Sequence, residues 1–305
     1  MLQASFVLES RKAKVQLSPL GARVVSMLLK DDDDELHLMP QSEAPNLFTQ
    51  FSGPYYTGQL LTNKRVEGAL TFGGEDHIFD PRHVLDPYGG GGPLAKAEFD
   101  GHQSSSTSVS FAYEAPAQRG NTPWKFRTHV SYSLGSWKLT VKRAVTNTGT
   151  CMMPLGIADG LVLKRSPRSG EGETPELQFL SRLGWEKNGR PVFLLDGPPD
   201  ALSAKVRPNP RLRVVPGLDV CYVLNDQNLR VSWPGLRLEA KVNFDPTFCS
   251  LAVHSSADFF AFHAGFTPNG ANLDAAGVDR KHTGFRVLEP EETHESVWSI
   301  DFRKH

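Results

Sequence analysis

The sequence predicts an all-β fold of the sandwich or barrel class. Three observations predict it. Apolar residues recur with a period of two in many short segments, no long segment has the i, i+3, i+4, i+7 spacing of an amphipathic helix, and turn residues punctuate the chain throughout. The 27 glycines and 22 prolines supply those turns.

In residues 107–113, Val109, Phe111 and Tyr113 alternate with Ser108, Ser110 and Ala112, as in a strand with one buried face. Residues 137–145 read the same way, with Leu139, Val141 and the stem of Arg143 on one side and a close at Thr146-Asn147-Thr148-Gly149. Residues 229–243 form two short strands about the turn dipeptide Pro234-Gly235. In residues 296–302, Val297, Trp298, Ile300 and Phe302 sit among Ser296, Ser299 and Asp301. Helices should be few and short. The loop-like stretches are 86–93, 166–174 and 198–210. No linker or composition break divides the chain, so residues 1–305 read as a single domain, long enough to bury a core without a metal or disulfide.

Charge excludes several partners. Lys plus Arg is 33 and Asp plus Glu is 34, a net charge of −1. That leaves no basic footprint for nucleic acid and no polybasic membrane face. No apolar run is long enough for a transmembrane helix. The first eight residues lack the basic segment and apolar core of a signal peptide, and the reading leaves a removed transit peptide open. Cys151, Cys221 and Cys249 are too widely spaced for a metal site and read as buried thiols of a soluble protein in a reducing compartment.

Other chemistry-bearing patterns read as bland. Asp31-Asp32-Asp33-Asp34-Glu35 lacks the alternate oxygens and bend glycine of a calcium loop, and fits a solvated turn. Gly89-Gly90-Gly91-Gly92 is followed by Pro93-Leu94-Ala95-Lys96, not by the Lys-Ser/Thr of a phosphate loop, and fits a flexible turn. His77 with His83, and His254 with His263, lack helical zinc-site spacing. No serine-hydrolase elbow or cysteine-nucleophile signature occurs.

Three stretches in chain order resemble galactose mutarotases (aldose 1-epimerases). Residues 62–74 (TNKRVEGALTFGG) are similar to that family's N-R-I-x-x-G-x-F-T-x-x-G, and Asp86-Pro87-Tyr88-Gly89 falls where the family has L-H-G. Val145-Thr146-Asn147-Thr148-Gly149 with Pro154-Leu155-Gly156 resembles the strand and P-x-x-x-G-x-H-P-Y-F segment. Asp219-Val220-Cys221-Tyr222, residues 262–272 (FHAGFTPNGAN) and Leu288-Glu289-Pro290-Glu291-Glu292 resemble D-x-x-F, E-P-x-x-x-P-N-A-x-N and L-x-P-G-E, with Glu291 in the place of glycine. The resemblance spans residues 58–302 and implies a galactose mutarotase-like β-sandwich with no cofactor and no metal.

It also implies site residues. In the family a carboxylate takes the anomeric proton while a histidine protonates the ring oxygen. The carboxylate falls on His263. One histidine falls on Tyr88, the other on Ala158, or on Asp159 with a one-residue slip. Arg65 and Asp219 match sugar-binding positions by type. His263 and Tyr88 are thus the substituted catalytic candidates, and Arg65, Asp219 and Asp159 the substrate-binding ones. Three readings stay open. One is a non-catalytic subunit held by other protein subunits, of the type of the mutarotase-like subunits of the chloroplast NAD(P)H dehydrogenase-like complex on the stromal side of the thylakoid. A second is an atypical aldose 1-epimerase, an isomerase acting on a hexose or sugar phosphate in chloroplast or cytoplasm. The third is a carbohydrate-binding module with Tyr55, Tyr56 or Trp124 as stacking platforms.

Overall fold

A computed structural model describes residues 6–31, 34–39, 69–78, 94, 97–117, 124–168, 173–187, 190–191, 201–203, 211–266, 274 and 277–305. The first strands are β1 (Phe6–Glu9), β2 (Ala13–Ser18), β3 (Arg23–Asp31), β4 (Asp34–His37), β5 (Ala69–Phe72), β6 (Glu75–Ile78), β7 (Asp100–Ser105) and β8 (Ser108–Ala115). Then come β9 (Phe126–Leu134), β10 (Lys138–Asn147), β11 (Met153–Leu155), β12 (Ala158–Lys164), β13 (Glu176–Gln178), β14 (Ser181–Lys187), β15 (Arg190–Pro191) and β16 (Ala201–Ser203). The last are β17 (Leu212–Arg213), β18 (Asp219–Leu224), β19 (Asn228–Trp233), β20 (Leu238–Asn243), β21 (Ser250–Ser255), β22 (Phe259–Gly265), β23 (Arg286–Leu288) and β24 (Thr293–Lys304). The α-helix α1 (Arg280–Thr283) precedes β23.

Two antiparallel sheets dominate. The nine-stranded one runs β17-β13-β19-β20-β24-β10-β9-β8-β7, and the seven-stranded one runs β12-β22-β21-β18-β14-β15 with β16 paired to β14. Smaller sheets are β1-β2-β3-β4, β11-β23 and β5-β6. The period-two pattern explains the inner face of the larger sheet. Leu139, Val141, Val145, Trp298, Ile300 and Phe302 are buried on β10 and β24. Rings close the space between the two sheets: Trp233 lies 6.2 Å from Phe260, and Phe244 lies 6.2 Å from Phe262. Burying each such side chain contributes roughly 1.5–3 kcal/mol.

Several expectations hold. The strands at 107–113 and 137–145 are β8 and β10, and Pro234–Leu236 is a single 3₁₀ turn between β19 and β20. The acidic run falls at the β3–β4 hairpin, where Asp31 and Asp34 face each other in register. Others change. Within the expected loop 198–210, residues 201–203 form β16, added to β14 by backbone pairing that their sequence does not announce. In the expected strand at 296–302, part of β24, Trp298 takes the inward position and Val297 points outward, 43% exposed. Cys221 is buried, but Cys249 is partly exposed and Cys151 exposed. Residues 79–93, including the glycine run, lie outside the described residues.

Strands β12 and β22 approach each other too closely for a side chain at two positions. A Cβ on Gly160 would stand 1.8 Å from the Phe262 carbonyl oxygen, and one on Gly265 would stand 1.9 Å from that of Ile157. Backbone atoms cannot yield as a flexible side chain can. Gly160→Ala should therefore lower stability by about 1–3 kcal/mol or more, read as a lower urea midpoint. An unchanged midpoint would show that the two strands separate freely.

Candidate functional site

Strand register assigns the candidates to faces. Asp159 is paired opposite Ala264, which is opposite Leu251, which is opposite Tyr222. That row belongs to the face turned towards the nine-stranded sheet, with Phe260, Phe262 and Val253 in the main core. His263 belongs to the other face. It is opposite Gly160 on β12 and Ala252 on β21, and Ala252 is opposite Cys221 on β18. A second small apolar cluster covers part of this face, with Trp185, Cys221 and Val223 buried against Leu183, Ala252 and Val278. His263 is itself only 6% exposed, among residues with little or no side chain.

Asp159 and His263 therefore point to opposite sides of one sheet. Asp159 is fully buried and forms an ion pair with Arg143 of β10, whose side chain is also buried. The pair bridges the two large sheets. Period-two alternation turns residue 159 inward, to Arg143. Asp219 is paired opposite His254 in register, and its side chain lies outside the described residues. Arg65, Tyr88, Tyr55 and Tyr56 also lie outside them. Trp124 is buried edge-on against Phe72 and His77, with ring centroids at 5.9 and 4.9 Å, so it offers no open stacking platform.

The Arg143–Asp159 pair heads a polar cluster that the sequence reading registered only as an arginine stem. Arg143 is opposite Ser296 on β24, and His294 and Trp298 follow on the same buried face. Asp245 accepts from the Val297 amide at 3.0 Å and from the Thr247 amide and hydroxyl at 2.9 and 2.6 Å. Burial raises the Asp159 carboxyl to about 6; Arg143 opposes that rise and the Asp245 charge adds to it. Burial lowers His294, and the Arg286 charge lowers it further. Arg143 Nε and Nη1 and Ser296 Oγ find no hydrogen-bond partner among the described residues. Each such group costs roughly 1–3 kcal/mol. A charged arginine on an inner strand face was the one available sequence signal, since burial of its stem requires a partner for its head.

Similarity to known proteins follows the fold. No family profile matches the sequence, and no curated protein is similar to it by sequence. Solved structures do match. A putative aldose 1-epimerase from Escherichia coli K12 superposes with a TM-score of 0.76 at 16% identity, over 98% of this chain and 99% of that one. A galactose mutarotase-like protein from Clostridium acetobutylicum gives 0.77 at 13% identity, over 98% and 95%. An aldose epimerase homologue from Caenorhabditis elegans gives 0.72 at 14%, over 98% of each. The chain therefore has the galactose mutarotase-like sandwich fold, and at these identities the likeness establishes the fold alone.

The pair makes a prediction with a definite sign. The folded pKa of Asp159 is raised, so the stability tied to its proton is fully present below the unfolded value of 3.8 and is lost as pH rises to about 6. Removing Arg143 removes the charge that restrains the rise, and extends the loss above pH 6. Arg143→Met should destabilise by about 3–5 kcal/mol at pH 8 and by less at pH 5. Adding Asp159→Leu should restore most of the loss. Urea unfolding at the two pH values reads both effects, and an equal penalty at each pH would contradict the account.

Proposed function

We propose that this chain is a mutarotase-like domain without epimerase turnover, serving as a structural subunit of a larger assembly. The observation that supports it most is the placement of Asp159. The carboxylate that could stand in for a family acid–base group is held in an inter-sheet ion pair with Arg143, on the opposite face from His263. Mutarotation needs an acid and a base on the same ring. His263 replaces the family carboxylate by resemblance, and Asp159 does not share its face of the sheet. A stromal-side subunit of the chloroplast NAD(P)H dehydrogenase-like complex is the assembly this reading points to. That assignment follows from the resemblance by type, a divergent mutarotase domain with an altered site. Among the described residues, no helix is long and apolar enough to cross a membrane.

One observation favours a second reading, an atypical aldose 1-epimerase. His263 stands between Gly160 and Ala252, and two strands away lies Asp219, a sugar-binding position by resemblance. Imidazole titrates near neutral pH and can act as a base.

Polarimetry separates the two. Freshly dissolved α-D-glucose and α-D-galactose should anomerise at the buffer rate with purified protein and with its His263→Ala variant. An acceleration that His263→Ala abolishes would replace the subunit reading with the enzyme. Native co-purification is the positive arm: the subunit reading requires the chain to migrate with a larger assembly, and a chain that migrates alone counts against it.

A further inference from the structure

A cleft of about 360 Å³ opens beside α1, between the end of β18 and the turn that leads into β21. Arg280, Lys281 and Arg286 line it together with Gln227, and among the described residues no carboxylate does. None of the residues on the His263 face belongs to its wall. Each of the two arginines lies over an aromatic ring. Arg280 lies 5.2 Å from the centre of the Phe285 ring, and Arg286 lies 5.7 Å from that of Phe266. Stacking of this kind fixes a guanidinium while leaving its N–H edges to point elsewhere.

The charge is only partly offset. Arg280 donates from Nε and Nη2 to Asp274 at 2.6 and 2.8 Å, and among the described residues no hydrogen bond engages its Nη1. Lys281 meets Asp279 at 2.7 Å, with both side chains more than half exposed, so water screens that pair. Arg286 forms no ion pair with a described carboxylate. Its field reaches the core, where it helps to lower His294. Among the described residues three cations thus line the cleft, while the carboxylates of Asp274, Asp279 and Asp245 lie outside its wall.

We propose that this cleft binds the phosphate group of a small phosphate monoester. A phosphate dianion offers three acceptor oxygens at a charge of about −1.5 to −2, which suits an arginine edge flanked by two further cations. The volume exceeds what a bare phosphate ion needs and lies at the low end of small-molecule sites, which run from about 300 Å³. The site is independent of any chemistry at His263.

The test is calorimetry at constant ionic strength with glycerol 3-phosphate, with inorganic phosphate and with uncharged glycerol. Glycerol 3-phosphate should bind saturably and glycerol should not. Arg286→Gln, which keeps a stem over Phe266, should weaken binding by roughly tenfold or more. Arg127→Ala, on β9 of the other sheet, should leave it unchanged. Circular dichroism confirms that each variant is folded. Equal binding in Arg286→Gln, no saturation, or binding of inorganic phosphate without the ester would overturn the proposal.

Discussion

The meeting of the two large sheets depends on a buried charge. Arg143 projects from one sheet and Asp159 from the other, and they pair beside a small buried polar group of His294, Ser296 and Asp245 inside an otherwise apolar core. Taking both charges out of water is expensive, and their mutual attraction roughly offsets that cost only with good geometry. The pair therefore adds little net stability. It instead selects one arrangement, since any slip of β10 or β12 by one residue would send a charge to the wrong face.

The same alternation decides what the site can do. On β12, residues 159 and 160 point to opposite sides of the sheet. Asp159 is spent in the core, while Gly160 allows β22 to come close beneath His263. A carboxylate one residue away in sequence is thus a whole sheet away in chemistry. The aromatic layer around Trp233, Phe244, Phe260 and Phe262 packs the space between the same two sheets.

Much of the architecture was legible in the sequence because period-two burial is a local signal. The alternation of Val109, Phe111 and Tyr113, and of Leu139, Val141 and Arg143, named the strands and their inward faces. Strand β16 was not legible, since three residues carry too little pattern to announce an edge pairing. The pattern at Val297-Trp298 did not say which of the two neighbours faces inward, and the structure gives that side to Trp298. The site was legible only through its resemblance to the mutarotases. That resemblance located His263 on its strand but left open whether residue 158 or 159 matched a histidine. Register resolves the geometry of that ambiguity, because the strand cannot present both residues to one side. The Arg143–Asp159 contact joins strands of different sheets, and no local pattern encodes a long-range partner.

The most direct measurement is a carbon-13 NMR titration of the Asp159 side-chain carboxyl, with and without saturating D-galactose. A core ion pair predicts a midpoint raised to about 6 that the sugar does not move. A midpoint near the ordinary aspartate value, or one displaced by the sugar, would place Asp159 in contact with solvent and ligand and contradict the account.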